Sequence, residues 1–364
     1  MQPAYARRFH PLRLVPFLWL AWTPLRGAEG DPKATLPANV GPFDPAPLMA
    51  KLAERITTDR YTFAVLGDTK HAAAFPKKMI PFIQETLKPD FVLTTGDMVQ
   101  SGGGSVGPGC WEKLSLEAGA EMKQRPWWPA IGNHELAGDP LAKLSGKSAD
   151  EKRTLAAQHA EMGTELFKAF YHLPNVYYSF PFRNAVFIAL PWQYPKGEAL
   201  AWLEKELQGA QNAGKLIFVF NHCPFFTVGE KKVEHLPGKP NEVTALFDKY
   251  GVLAVFSGHD HIYHRTIRNG VAYIISAGGG AKIYKLFRRQ EALPEDVYYG
   301  HNPDPDAPAG EQYVLVNGST KTEKKFAASE SFACLIQVDG KRVTLKAMAC
   351  SGETWDEWVL STGK

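Results

Sequence analysis

The chain has 364 residues, enough for one large domain or two modest ones, and 45% of them are hydrophobic, so a sizeable core is expected. Lys and Arg number 41 against 38 Asp and Glu, a net charge of +3. Four arginines (Arg7, Arg8, Arg13 and Arg26) and no acid lie in the first 28 residues, so the remainder carries −1 and offers no basic surface for nucleic acid.

Residues 1–28 read as an export signal. Arg7, Arg8 and Arg13 precede an apolar stretch over 14–25, too short to span a bilayer as an ordinary helix, and the small residues Gly27 and Ala28 follow it. A buried or disordered arm and an uncleaved anchor are the alternatives. The signal reading makes the protein periplasmic or secreted, with no stable membrane span once the signal is cut. Residues 29–48 are rich in Pro, Gly and Ala and read as a lead-in linker, with a helix near 49–56. The domain proper is expected over 57–364.

A repeated theme then begins. "YTFAVLGD" ends in Asp68, "DFVLTTGD" in Asp97, "WPAIGNH" in Asn133 and His134, "KLIFVFNH" in His222, and "VLAVFSGHDH" in His259 and His261. Each is a short apolar run, as a buried strand would be, closed by a small or polar residue and then a metal-competent side chain. Helical material lies between them at 76–87 and at 199–210, where Leu200, Leu203 and Leu207 keep helical spacing. This alternation predicts a mixed α/β fold, in which ligands gather beyond the carboxyl ends of the strands.

Residues 138–170 read as a helical insertion and 175–190 as a hairpin turning near Arg183-Asn184. The stretch over 298–312 reads as a Pro- and Asp-rich surface loop, and 313–360 as antiparallel strands completing the same domain. The glycine-rich 101–109 lacks the Lys-Ser/Thr end of a nucleotide loop and reads as a mobile rim of the site. Trp111, Trp127 and Trp128 are expected in the core, and Trp192, after the strand end "ALPWQ", at the rim. The four cysteines show no CxxC spacing and so no zinc-thiolate signature. In an oxidising compartment they allow three full pairings, and their positions do not choose between them. A turn at Asp339-Gly340 would set Cys334 opposite Leu345 and out of register with Cys350, and Cys110 with Cys223, each after an expected site loop, is a hypothesis for a pair.

Asp68, Asp97, Asn133, His222, His259 and His261 together supply two carboxylates, an amide oxygen and three imidazoles. Mixed oxygen and nitrogen donors suit Zn, Mn, Fe or Co. Six donors exceed a closed four-ligand site and suit two divalent or trivalent ions about 3.5–4 Å apart that share a carboxylate. A single Asp at a strand end is usually a cap, and a single His is usually an ordinary surface or core residue. The joint pattern is what points to metal.

The ordered motifs "GDTKH", "GDMVQ", "GNHE", the "NH" at 221–222 and "GHDH" resemble the calcineurin-like metallophosphoesterase family. "NVYYSF", "ALAWLEKEL", "NHCPFF", "GHDHIYHR" and "YIISAGGGA" resemble its purple-acid-phosphatase-like and exported branch, over about residues 60–284. The resemblance implies a four-layer α/β/β/α sandwich and a dinuclear centre that hydrolyses phosphate esters by attack of a metal-bridging hydroxide. Asp97 would be the bridging carboxylate. Asp68 and His261 would complete the first metal site, and Asn133, His222 and His259 the second. His134 would protonate the leaving oxygen, Glu135 would orient the Asn133–His134 loop, and Asn133 would also face substrate.

Two positions depart from the family pattern. Lys70 stands where many members place a histidine ligand, and Gln100 where purple acid phosphatases place a tyrosine ligand. The first site therefore lacks a usual ligand by either pattern. Lys70 is read as a point charge for a substrate phosphate oxygen, and Gln100 as an uncharged acceptor beside His134. Arg265 is a candidate phosphate contact, with packing beside the site an equal reading for Arg265 and His264. A phosphomonoesterase acting on a small phosphate ester is the favoured function. A phosphodiesterase and a degenerate metal-binding or scaffold protein are the rivals.

Overall fold

The computed structural model describes residues 35–139, 146–231 and 242–360, so the segment read as an export signal lies outside the described residues. Among the described residues no helix is long and apolar enough to cross a membrane.

The strands up to the hairpin are β1 (Arg60–Leu66), β2 (Phe91–Thr94), β3 (Trp127–Pro129), β4 (Tyr178–Phe182) and β5 (Ala185–Ala189). Then come β6 (Leu216–Phe220), β7 (Ala254–Ser257), β8 (Tyr263–Arg268), β9 (Val271–Ser276) and β10 (Val297–His301). The last five are β11 (Tyr313–Asn317), β12 (Thr322–Phe326), β13 (Phe332–Asp339), β14 (Arg342–Ala349) and β15 (Thr354–Leu360). They form a six-stranded sheet in the order β15-β14-β13-β1-β2-β3 and a nine-stranded sheet in the order β12-β11-β10-β8-β9-β7-β6-β5-β4. The helices are α1 (Pro45–Arg55), α2 (Gly107–Met122), α3 (Asn133–Leu136), α4 (Ala149–Tyr171), α5 (Glu198–Asn212) and α6 (Glu242–Tyr250). Two mixed sheets flanked by helices make the four-layer sandwich that the resemblance implied.

Phenylalanines from the two sheets meet between the layers. The Phe63 ring stands edge-on to Phe187 and Phe218, each with centroids 5.2 Å apart, and Phe91 meets Phe187 at 5.3 Å. All four are fully buried. Such edge-to-face pairs contribute about 0.5–1.5 kcal/mol each beyond the area they bury.

Strand β1 pairs parallel with β2, and β2 with β3, while β6 pairs parallel with β5 and β7. Within each sheet, parallel pairing brings the carboxyl ends of these strands to one edge. That is how residues far apart in the chain reach a common site.

Several expectations need correction. The stretch 76–87 is helical as expected, and only its form differs, with two wide π-helical turns, Phe75–Met79 and Phe82–Leu87, closed by Lys88 at φ 45°. α1 starts at Pro45 rather than near 49, because Asp44 caps it by accepting from the Ala46 N–H. The glycine-rich stretch is not all rim loop, since α2 begins at Gly107. Part of the supposed loop over 298–312 is strand β10, whose Tyr298 and Tyr299 are buried between β8 and β11. The β13–β14 turn falls at Gly340-Lys341, so Cys334 faces Ala347 rather than Leu345. The two-residue shift keeps Cys334 on the same face and still out of register with Cys350. Among the described residues, Cys110 and Cys223 are not joined to each other. Trp111, Trp127 and Trp128 are in the core.

Candidate metal centre

Asp68 and Asp97 follow β1 and β2 by two and three residues, both fully buried and both at positive φ, 61° and 55°. Non-glycine residues rarely adopt that conformation, and the cost is borne where the surroundings fix it. Here the Asp68 N–H donates to the Gly96 carbonyl at 2.9 Å, and the Asp97 N–H donates to Glu135 Oε2 at 2.8 Å. Asn133 opens α3 just after β3, His222 follows β6, and His259 and His261 bracket the turn between β7 and β8.

The glycines ahead of these ligands are required by close approach. A Cβ on Gly132 would lie 2.3 Å from Asp97 Oδ1, and one on Gly258 would lie 2.5 Å from Asp68 Oδ2. At these two positions the glycine-then-ligand pattern records backbone passing directly over carboxylates, whereas Gly67 packs against Thr95 and Gly96 against the Gly132 backbone.

The side chains gather in two sets. Ligand atoms of Asp68, Asp97 and His261 all lie within 4.8 Å of one another, and His261 Nε2 is 3.2 Å from Asp68 Oδ1. In the other set, Asn133 Oδ1 lies 3.0 Å from both His222 Nε2 and His259 Nδ1, which are 3.2 Å apart. Asp97 touches both sets, with Oδ1 3.4 Å from His222 Nε2. Backbone carbonyls aim two of the rings. Thr95 accepts from His222 Nδ1 and Lys282 from His261 Nδ1, both at 2.7 Å, which turns each Nε2 inward.

The residues present fit a metal ion. Asp97 Oδ2 is buried with the Lys70 ammonium 3.1 Å away, and among the described residues His261 Nε2 is buried with no hydrogen-bond partner, facing Asp68 Oδ1 at 3.2 Å, an arrangement that a cation between them would satisfy. Burial alone would raise the Asp97 carboxyl, but His222, Lys70 and His134 hold it well below the usual range, so it is a carboxylate. Burial would lower His222, yet Asp97 raises it to about 9. Burial and the neighbouring His222 push His259 down to about 3, which leaves a neutral imidazole suited to ligation.

Glu135 joins both site loops. Its Oε2 accepts from the Gly132 and Asp97 N–H groups at 2.7 and 2.8 Å, and its Oε1 from Met98 and Val99 at 2.7 and 3.3 Å. His134 donates from Nδ1 to the main-chain carbonyl of Gln100 at 2.6 Å, leaving Nε2 3.9 Å from Asp97 Oδ2. This corrects the role given to Gln100, since the acceptor is the backbone and not the side chain. Lys70 Nζ stands 3.1 Å from Asp97 Oδ2.

Arg265 is not available to substrate. It is 1% exposed, donates from Nε to Asp356 at 2.5 Å, and lies over the Trp358 ring at 4.3 Å. His264 is likewise buried, 3.2 Å from Asp296. The alternation of β8 turns these side chains toward buried acids rather than the centre.

Other residues near the ligands escaped the sequence reading. Tyr284 stacks on His261 with centroids 3.9 Å apart and planes 12° from parallel. Asp260 turns away from its histidine neighbours and accepts from Thr227 Oγ1 at 2.5 Å, pinning the loop after β6. Asp260 lies in the irregular turn between β7 and β8, with His259 at φ 67°, so no strand alternation in the sequence could have assigned its direction. Nothing in the local sequence points to Tyr284. The half-buried Trp192 lies 6.5 Å from His259, ring to ring.

Residues 61–263, more than half of the chain, match the calcineurin-like phosphoesterase family, and the protein belongs to that family. Among curated proteins it is 23% identical to purple acid phosphatase 17 of Arabidopsis thaliana over 241 residues, covering 62% of this chain and 69% of that one. It is 26% identical to purple acid phosphatase 3 of the same plant over 267 residues, covering 67% and 69%. Among solved structures, the purple acid phosphatase PPD1 from yellow lupin (Lupinus luteus) seeds is similar, with a TM-score of 0.58 and 17% identity over 84% of this chain. The match covers 54% of the lupin protein, so this chain spans about half its length. GAP50, the anchor in the inner membrane complex of Plasmodium, is similar with a TM-score of 0.55 and 17% identity, covering 84% and 90%. At these identities the two structures share the fold.

Proposed function

We propose that the protein is a metal-dependent phosphoesterase, with phosphate monoesters as the favoured substrates. The reading rests on Asp97, a buried carboxylate that touches both donor sets. On this reading Asp68, Asp97 and His261 hold one ion, and Asp97, Asn133, His222 and His259 hold a second. When bound, the ions would lower the pKa of water and draw charge from the phosphate oxygens. The chain's own residues do the rest. Asn133 and Lys70 bind phosphate oxygens, and hydrogen bonds to the Glu135 carboxylate and the Thr95 carbonyl fix Asp97 and His222 as ligands. His134 Nε2 delivers a proton to the departing alkoxide, its ring set by the Gln100 carbonyl. A monoester dianion suits a site where an ammonium adds to the metal charge. The basic and apolar start of the chain supports an exported location.

A paired assay tests this. Aryl phosphate monoester and diester are offered to the same preparation, with and without chelator. Monoester turnover at least about 10-fold above diester, abolished by chelation, is expected. Diester preference selects the phosphodiesterase reading. The absence of turnover with metal bound selects a degenerate scaffold, a reading favoured only by Lys70 in a ligand position and by the likeness to an anchor protein.

A further inference from the structure

We infer that the Lys70 ammonium serves as a built-in cation at the first metal position, so that the resting protein holds one tight metal ion, at the second position. The inference rests on the metal-centre reading above and concerns its stoichiometry. Lys70 Nζ is 3.1 Å from Asp97 Oδ2, an oxygen with no other hydrogen-bond donor among the described residues. The lysine side chain is only 14% exposed, so the pair is little screened. Its direction is set by the backbone, which is unusual at this residue. Lys70 has φ 44°, and its N–H donates to the Asp97 carbonyl at 3.1 Å, so the loop is tied to Asp97 from both main chain and side chain.

The charge balance follows. Asp68 and Asp97 together carry two negative charges. An ion among Asn133, His222, His259 and Asp97 neutralises these two in number, and the ammonium adds a further positive charge beside Asp97 before any second ion arrives. A divalent ion entering beside Asp68 and His261 must displace the ammonium from Asp97 or bear its repulsion. It also meets three protein donors and no fourth from position 70. The second position has four protein donors, and among the described residues no ammonium forms an ion pair or hydrogen bond with the three that only it uses. The two positions are therefore unequal by charge as well as by ligand count.

Equilibrium dialysis of the purified chain against Mn²⁺, with the Mn²⁺ spin-resonance spectrum of each sample, reads this directly. Wild type is expected to retain one equivalent with an isolated-ion spectrum. Lys70→Met removes the charge and adds no ligand, so it is expected to retain two, the second bound at least about 10-fold more tightly than in wild type, with the spectrum of an exchange-coupled pair. Lys70→Arg keeps the charge and is expected to retain one. Lys70→Leu, which likewise removes the charge and adds no ligand, makes the same test if the methionine variant fails to fold. Two equivalents in wild type overturn the inference and leave the metal centre standing. One equivalent in both neutral variants also overturns it, because the missing ligand rather than the charge would then limit binding. No retained metal in any form overturns the inference together with the metal-centre reading.

Discussion

His134 is held by one strong contact, its Nδ1 proton on the Gln100 carbonyl, and the acceptor fixes which nitrogen faces the centre. His134→Ala should slow a poor alkyl leaving group by about 10² or more and an activated aryl phosphate far less, since only the former needs a proton. Steady-state rates on the two substrates check this, and equal losses would count against the acid role. Burial first, and then Lys70, lower the His134 pKa below the ordinary 6.5, with Asp97 opposing. The proton-bearing form is lost as pH rises through that lowered value. Alkyl phosphate turnover should therefore fall with rising pH while still below 6.5, and the alanine variant should lack that limb. Asp97→Asn removes the charge shared by both donor sets and should weaken metal retention by more than about 10², above the range for losing an outer partner of a ligand. Metal content after dialysis is the measurement.

The site loops are joined by Glu135, whose two oxygens accept four backbone N–H groups from the segments after β2 and β3. Replacing it by Gln puts an N–H₂ against backbone donors. The expected cost is about 1–3 kcal/mol, read from the denaturant midpoint. Activity should fall as well, because Asp97 and Asn133 sit on the loops that move. Much of this level was legible in the sequence. Each ligand cluster follows an apolar run, and Gly132 and Gly258, just before Asn133 and His259, mark backbone that must pass over the Asp97 and Asp68 carboxylates. The contact between His134 and Gln100 was legible only in part, because a main-chain carbonyl leaves no signature in residue type. The shift at Gly340-Lys341 was missed because a two-residue slip preserves side-chain alternation. The Tyr298-Tyr299 strand was hidden by the Pro and Asp that follow it.

Across the sandwich, the buried Arg265–Asp356 pair with Tyr263 Oη on Asp356 at 2.7 Å ties β8 of one sheet to β15 of the other. Such a long-range partnership cannot be read from a local motif, which is why "YHR" beside "GHDH" invited a substrate role for Arg265. Arg265→Met leaves a buried carboxylate unpaired and should destabilise the fold by about 3–5 kcal/mol while leaving KM unchanged. A raised KM at unchanged stability would restore the substrate role. On the proposed function, the gathered Asp, Asn and His side chains hold metal that makes the protein a phosphoesterase. Phosphate release from an aryl monoester, measured after exhaustive chelation and again after Mn²⁺ or Zn²⁺ is restored, tests this most directly. Loss on chelation and recovery with metal are expected, whereas turnover that survives chelation, or none with any metal supplied, would rule the metal-dependent activity out.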